Sequence, residues 1–570
     1  MKKKKYVTSV LVAIMCSMGQ FTFGQNHTIW QIGQHDGSPD GMALAPGEYT
    51  QFVRHDFGYE DRFFLVGYSS PETDWPYVLP GPANGWGGTG RTAGIRSHVL
   101  NAYFIVKDIP RQADCKLVVG ILDTEKEAPP LLKVTVNNRS STHQLTGGSG
   151  SDEPIGPFTP AHRQQVTIDL PAGSIKPGYN EITLATLMGG WLVFDNVQLV
   201  GPLEASITVP ADVLVKQVAA AEYEVMQNGE RYQPLLIDVA HLENSPMLTV
   251  ELDGQAAFSQ RIERGEYGFE VPMPRVSDRT TSLYTILRDG EIIDQGEVER
   301  SPQPVITPAD YVNTMMGTGH SRWMIAPGPW MPFGMVKISP DNQNSGWQSG
   351  YDPTFESIGT FSHIHEWTMA GLGTFPVTGV LTTQIGDQSD PDSGYRSRID
   401  KDSEQAPLGY YKVYLTDYNI TAELTATTRA SLQRYTYHDA DTGRIMVDFT
   451  IPAEYRYGVE ELDVRQVSPY RIEGYSKQLS SGVWSKDADQ EYTVHFVMEF
   501  DRPMLRAGNW LDGNVESGAD MHAAAVDKAG LYVEFDTRQS SSVQVRTGIS
   551  YVSTENAATN LETEISKPFG

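Results

Sequence analysis

From Trp30 to Ser553 the apolar residues of this chain come in short alternating runs, and Gly, Pro or Asn interrupts each run before a long helix can form. Phe63-Phe-Leu-Val66, Ala102-Tyr-Phe-Ile-Val106, Lys116-Leu-Val-Val119, Leu132-Lys-Val-Thr-Val136, Ile182-Thr-Leu184 and Phe194-Asp-Asn-Val-Gln-Leu199 set the pattern. It continues in Tyr411-Lys-Val-Tyr-Leu415, Arg444-Ile-Met-Val-Asp-Phe449, Tyr492-Thr-Val-His-Phe-Val497 and Val543-Gln-Val-Arg546. Alternation at period two sends successive side chains to opposite faces of a strand, and β-branched and aromatic residues suit that pleated surface. Many short strands separated by turn signals predict an all-β, multi-domain chain of β-sandwiches. At roughly 150 residues per domain, 570 residues suggest three or four cores.

Boundaries follow from the breakers. Residues 1–24 have a basic start at Lys2 to Lys5, an apolar stretch from Val7 to Met18 and a small-residue end, as in a secretory signal peptide. Met15 before Cys16 fits a lipoprotein cleavage box poorly, so periplasmic or secreted export is expected rather than a lipid anchor. Residues 25–203 read as a β-sandwich. Residues 204–303 read as an Ig-like spacer with one helical candidate, Leu214 to Val225, and a two-residue hairpin turn at Asp289-Gly290. Ser301-Pro-Gln-Pro304 marks the next boundary, and a large sandwich follows over 304–553. After Ser553, a good N-cap, Ala557, Leu561 and Ile565 recur at intervals of four on one helical face. Over 554–570 this apolar stripe is expected to need a partner that the sequence does not contain.

Charge and cysteine usage narrow the function classes. The formal charge of −27 becomes −31 once the four signal-peptide lysines leave, which disfavours nucleic acid and anionic membranes as partners. No further apolar run reaches the length of about 18 residues that a membrane-spanning helix needs. Cys115 is the only cysteine outside the signal segment, so no internal disulfide can form.

Residues 311–379 concentrate Gly, Trp and His more than a core requires: Tyr311-Val-Asn-Thr-Met-Met-Gly-Thr-Gly319, Pro332-Phe-Gly-Met-Val336, Ser339-Pro-Asp341, Gly346-Trp347, Ser349-Gly-Tyr351 and Phe361-Ser-His-Ile-His-Glu-Trp367. With Gly409-Tyr-Tyr411, Ala422-Glu-Leu-Thr-Ala-Thr427, Arg434-Tyr-Thr436 and Gly548-Ile-Ser550, this ordered series resembles the N-terminal module of exo-acting α-mannosidases of glycoside hydrolase family ninety-two. Ile29-Trp-Gln-Ile-Gly33, Asp36-Gly-Ser-Pro39 and Leu170-Pro-Ala-Gly-Ser-Ile-Lys-Pro-Gly-Tyr-Asn180 resemble the carbohydrate-binding-like jelly roll of rhamnogalacturonan lyases. The first resemblance implies a calcium-assisted, inverting reaction whose acid, base and calcium ligands lie mostly on a following α-helical toroid. That toroid is expected to lie outside this chain, leaving no catalytic residue here.

Among candidate residues, His363, His365 and Trp367 would share one face if their segment were a strand, presenting two imidazoles and an indole to a sugar. The same residues could satisfy a polar domain interface, and His-x-His beside Glu366 also permits a metal reading. The loop holding His320, Arg322 and Trp323 follows Gly317-Thr-Gly319 and, by the resemblance, borders the sugar pocket. Trp347 and Tyr351 could form one wall of the subsite or lie in the core. Glu423 sits in a strand-like run and reads as structural, while Trp75, Trp86 and Arg91 around the loop Gly81 to Gly94 could hold glycan in the first module.

The expected function is the substrate-side portion of a secreted enzyme acting on α-mannoside glycans, inactive without its α-helical partner domain. A non-catalytic glycan-binding or cell-surface protein is the alternative. A polysaccharide lyase is disfavoured, because the first module resembles an accessory domain and carries no lyase chemistry.

Overall fold

A computed structural model describes residues 26–59, 62–88, 97–151, 153–208, 212–318, 326–342, 350–365, 371–450, 457–480 and 490–566. They form three successive β-sandwiches, as the alternation predicts.

In the first sandwich, one sheet runs in the order Asn26–Gly33, Leu192–Pro202, Cys115–Thr124, Gln164–Leu170. The facing sheet runs Ser206–Thr208, His98–Asp108, Gly178–Met188, Leu131–Val136, Arg139–Gln144. Its last-added strand, Ser206–Thr208, carries this unit beyond the expected boundary at 203. Strand Leu131–Val136 shows how the sequence sets the packing. Leu132, Val134 and Val136 enter a core shared with Trp30, Phe104 and Phe194, whereas Leu131, Lys133 and Thr135 take the opposite face. Cys115 is buried, and burial pushes its thiol pKa up, which disfavours the reactive thiolate.

The second sandwich corrects one expectation. Leu214 to Val225 is not a helix: Val213–Ala220 is a strand paired with Glu230–His241, and Val225–Gln227 pairs with the start of the same strand. Val213, Val215 and Val218 are β-branched, and the ladder they enter outweighs a spacing that a helix could also have used. Asp289 and Gly290 have φ of 48° and 89° and join Thr280–Arg288 to Glu291–Arg300 by the expected two-residue turn.

The third sandwich packs a seven-stranded sheet on a ten-stranded one around Phe361, Phe375, Tyr411, Tyr435, Phe496 and Trp510. The helix Thr554–Glu564 follows, capped by Ser553 Oγ, which accepts from the Asn556 amide at 3.1 Å. Its apolar stripe is already covered. Ala557 and Leu561 are buried against Ala430 and Val497, with Ile565 beside them. Asn560 donates to the Ile549 carbonyl at 2.8 Å, and Glu564 pairs with Arg429. The stripe was expected to require a partner from outside the sequence, but the sheet of its own sandwich supplies one.

Candidate functional site

The short strand Ser339–Asp341 ends the seven-stranded sheet and pairs antiparallel with Thr360–Ser362, which in turn pairs with Gly373–Val377. At the end of this ribbon Asp341, Ser362 and His365 meet. His365 Nε2 lies 2.8 Å from Ser362 Oγ and 3.4 Å from Asp341 Oδ1. Asp341 is only 4% exposed, and its Oδ2 has no hydrogen-bond partner. Burial raises the pKa of this carboxyl, while His365 and Ser362 pull it back. A buried polar atom without a partner is costly and uncommon, and it marks a position where a hydroxyl or water can complete the set.

An indole lies alongside. Trp330 Nε1 donates to Ser339 Oγ at 2.8 Å, its ring stands 6.4 Å from that of His365, and Lys337 Nζ sits 5.0 Å from the ring centroid. Beside Asp341, the chain on either side of 343–349 is clamped. Asn342 N donates to the Gly350 carbonyl at 2.9 Å and Asn342 Nδ2 to the Asp352 carbonyl at 2.6 Å, while the Asp352 amide donates to Asn342 Oδ1 at 2.8 Å. Arg396 braces the clamp, donating to the Asn342 carbonyl and to Ser357 Oγ, both at 2.8 Å. Burial lowers its pKa to about 10, so it stays charged at neutral pH.

Gly350 closes the clamp with φ of +94°, and a Cβ there would lie 3.4 Å from His365 Nδ1. Gly350→Ala is therefore expected to cost about 1–2 kcal/mol through left-handed backbone strain alone. Thermal unfolding measures this, and an unchanged midpoint would show that the turn adapts freely.

Of the nine candidate site residues, the described structure places three. His365 is at the site. His363 is not: the strand ends at Ser362, and His363 turns into the core, fully buried. Its Nδ1 donates to the Leu372 carbonyl at 2.6 Å, and Nε2 lies 2.8 Å from Ser431 Oγ and 3.2 Å from Gln433 Nε2. The expected shared face of His363 and His365 is thus absent, and the His-x-His metal reading loses its first ligand. Tyr351 is also core and walls no open subsite. Its hydroxyl donates to Glu404, 2.8 Å from each carboxylate oxygen, and burial followed by Glu404 raises its pKa. His320, Arg322, Trp323, Trp347, Glu366 and Trp367 lie outside the described residues, as does Arg91.

Trp75 is buried between Phe64 and Phe194 and so belongs to the first core, whereas Trp86 is half-buried against Tyr49. Glu423 is structural: Arg434 engages both its oxygens at 2.6 Å and is the main cause of its lowered pKa. Among the described residues no three His, Cys, Asp or Glu side chains converge on a metal position. Asp341 and His365 alone fall far short of the six to eight oxygens that calcium takes. No described helix is long and apolar enough to cross a membrane.

Asp341, Ser362 and Trp330 were the site residues the sequence did not single out. Asp341 stood in a motif without a role, and the signal for Trp330 was an indole in the Gly/Pro-rich stretch Pro327-Gly-Pro-Trp330.

Comparison with known proteins accords with this layout. Residues 311–550 match the family model of the Glycosyl hydrolase family 92 N-terminal domain. Residues 28–199 match that of the CBM-like domain III of polysaccharide lyase family 4. A protein of Arthroderma benhamiae described as an uncharacterized secreted glycosidase is 23% identical over 273 residues, 45% of this chain and 34% of its own length. Among solved structures, a family GH92 alpha-mannosidase of Bacteroides thetaiotaomicron is 29% identical over 45% of this chain and 36% of that one, with a TM-score of 0.40. A family GH92 inverting mannosidase of the same organism is 21% identical over 45% and 33%, with a TM-score of 0.38. The chain thus spans about a third of the length of these relatives. On these matches the third sandwich is similar to the glycosyl hydrolase family 92 N-terminal domain and the first to domain III of polysaccharide lyase family 4.

Proposed function

We propose that residues 311–550 form the sugar-holding side of an exo-acting α-mannosidase directed at α-mannoside glycans outside the cytoplasm. The observation that carries this reading is the Asp341–Ser362–His365 cluster, with an unpartnered buried carboxylate oxygen, inside the region that matches the family domain. A carboxylate oxygen accepts a sugar hydroxyl, an imidazole nitrogen donates or accepts another, and the Trp330 ring offers a face for pyranose C–H groups. By the family resemblance, acid, base and calcium ligands are assigned to an α-helical domain rather than to residues 311–550. Residues 25–570 alone are then expected to bind mannose and to release little or none of it.

Calorimetric titration with α-linked mannobiose, run beside a calcium-supplemented mannose-release assay, tests both halves of the proposal. Binding without release supports it. Steady release by rigorously purified 25–570 would overturn the assignment of acid and base, and neither binding nor release would overturn the sugar site. The second reading, a non-catalytic glycan-binding protein, is favoured by the helix 554–564, whose apolar stripe is buried on its own sandwich. It predicts retention on a glycan column with no gain in hydrolysis when downstream coding sequence is added.

A further inference from the structure

The first sandwich has an outer face that does not behave like one. Along His98–Asp108, Leu100, Ala102 and Phe104 enter the core, yet the alternate residues Val99, Asn101 and Tyr103 are buried as well. Leu131, Ala185 and Leu187 are likewise buried on that outer face. Period-two alternation would leave these positions in water unless another part of the chain covered them.

Phe63, Leu65 and, from the second sandwich, Leu214 and Ala240 cover Tyr103, and the third sandwich covers the Leu131–Leu187 end. Phe355, 3% exposed, packs against Leu131 and Leu187, with Met188 beside them. Lys133 crosses the same boundary, donating from Nζ to the Thr354 carbonyl at 2.9 Å and pairing with Glu356. Asn138 donates to Asp402 Oδ2 at 3.2 Å. A cavity of about 390 Å³ lies between Val99, Thr183 and Ala185 on one side and Met315, Gly317 and Thr318 on the other. The segment from Thr354 to Glu356 follows directly on Asp352, which Asn342 clamps, and the Gly317 loop leads into 319–325.

We propose that this sheet face is a fixed platform on which the site segments of the third sandwich are set, with Lys133 a positioning residue for residues 352–358. The carbohydrate-binding-like module is then a wall of the enzyme, and the Leu131–Leu187 end of this face is covered by Phe355. The platform rests on contacts alone. Its effect on mannoside affinity rests on the sugar-site reading above.

Hydrogen exchange on residues 25–570 separates the two. In Lys133→Met the amides of Thr354 and Phe355 should exchange about fivefold faster, with the rest of the protein unchanged, and mannoside affinity should fall by a similar factor. Lys133→Arg should restore both. Unchanged exchange in Lys133→Met would overturn the platform. Faster exchange in a protein that binds no mannoside would keep the platform and sink the sugar reading. A wild-type measurement covers a variant that fails to fold. Lys133, 12% exposed, should react with an amine-acylating reagent at least about tenfold more slowly than Lys116, 52% exposed, whereas equal rates would mean the face is open.

Discussion

Asp341→Asn should bind α-mannoside about 10–100-fold more weakly than the wild type while unfolding at a higher temperature. The two effects have one cause. Asp341 sits buried with Oδ2 unpartnered and Oδ1 3.4 Å from His365 Nε2, so its charge is only partly compensated, by His365 and Ser362, in the free protein. Burial correspondingly pushes the carboxyl pKa above its ordinary value. An amide of the same shape removes the cost of that charge, a gain of about 1–2 kcal/mol. It also removes an acceptor that a sugar hydroxyl would use, and hydrogen bonds to charged groups are worth about 1.5–3 kcal/mol. Calorimetric titration and thermal unfolding of the same two preparations check the pair of outcomes. A variant that loses stability and keeps its affinity would make Asp341 a structural residue.

The sandwiches were legible in the sequence because period-two alternation is written locally. In Leu132-Lys-Val-Thr-Val136 each apolar residue declares its own face, and no distant contact is needed to read it. The segment Leu214 to Val225 failed for the complementary reason. Its apolar spacing was compatible with either period, and the deciding fact, a ladder with Glu230–His241, lies outside the segment. The helix stripe at Ala557, Leu561 and Ile565 was read correctly as a stripe. What covers it, Ala430 and Val497, comes from strands far away in sequence.

The site was less legible than the fold because a side chain's role depends on where its strand stops. His363 and His365 look equivalent in sequence, yet the strand ends at Ser362, and the turn that follows sends one imidazole into the core and leaves the other beside Asp341. Tyr351 and Trp75 were attractive as aromatic sugar platforms, but both are buried, Trp75 among the first core and Tyr351 against Glu404 and Lys401, and only tertiary structure supplies those neighbours. Trp330 and Asp341 become visible only when Ser339–Asp341 and Thr360–Ser362 pair, which is a relation of register.

His363 tests this distinction with the larger stability effect. Truncation in His363→Ala should cost about 2–4 kcal/mol, combining a lost buried volume with hydrogen bonds taken from Ser431 and the Leu372 carbonyl. Mannoside affinity at pH 7 should stay within about twofold, because a core residue does not touch the ligand. The titration of the same group gives a second, independent readout. Burial, aided by repulsion from His365, lowers the His363 pKa from 6.5 to about 4. Between those values the unfolded chain binds a proton that the folded protein refuses, so stability falls as pH drops through that window and is intact above it. A displacement of that size corresponds to about 3 kcal/mol between pH 7 and pH 4. Asp341 and Asp448, whose pKa values burial raises, contribute with the opposite sign above their unfolded values, so the wild type alone would mix the effects. His363→Gln retains both carboxyls and lacks the titrating ring. The stability difference between wild type and His363→Gln should therefore shrink by about 3 kcal/mol on going from pH 7 to pH 4. Parallel pH profiles would mean that the folded protein lets His363 protonate, and would return it to the list of groups that meet solvent or ligand.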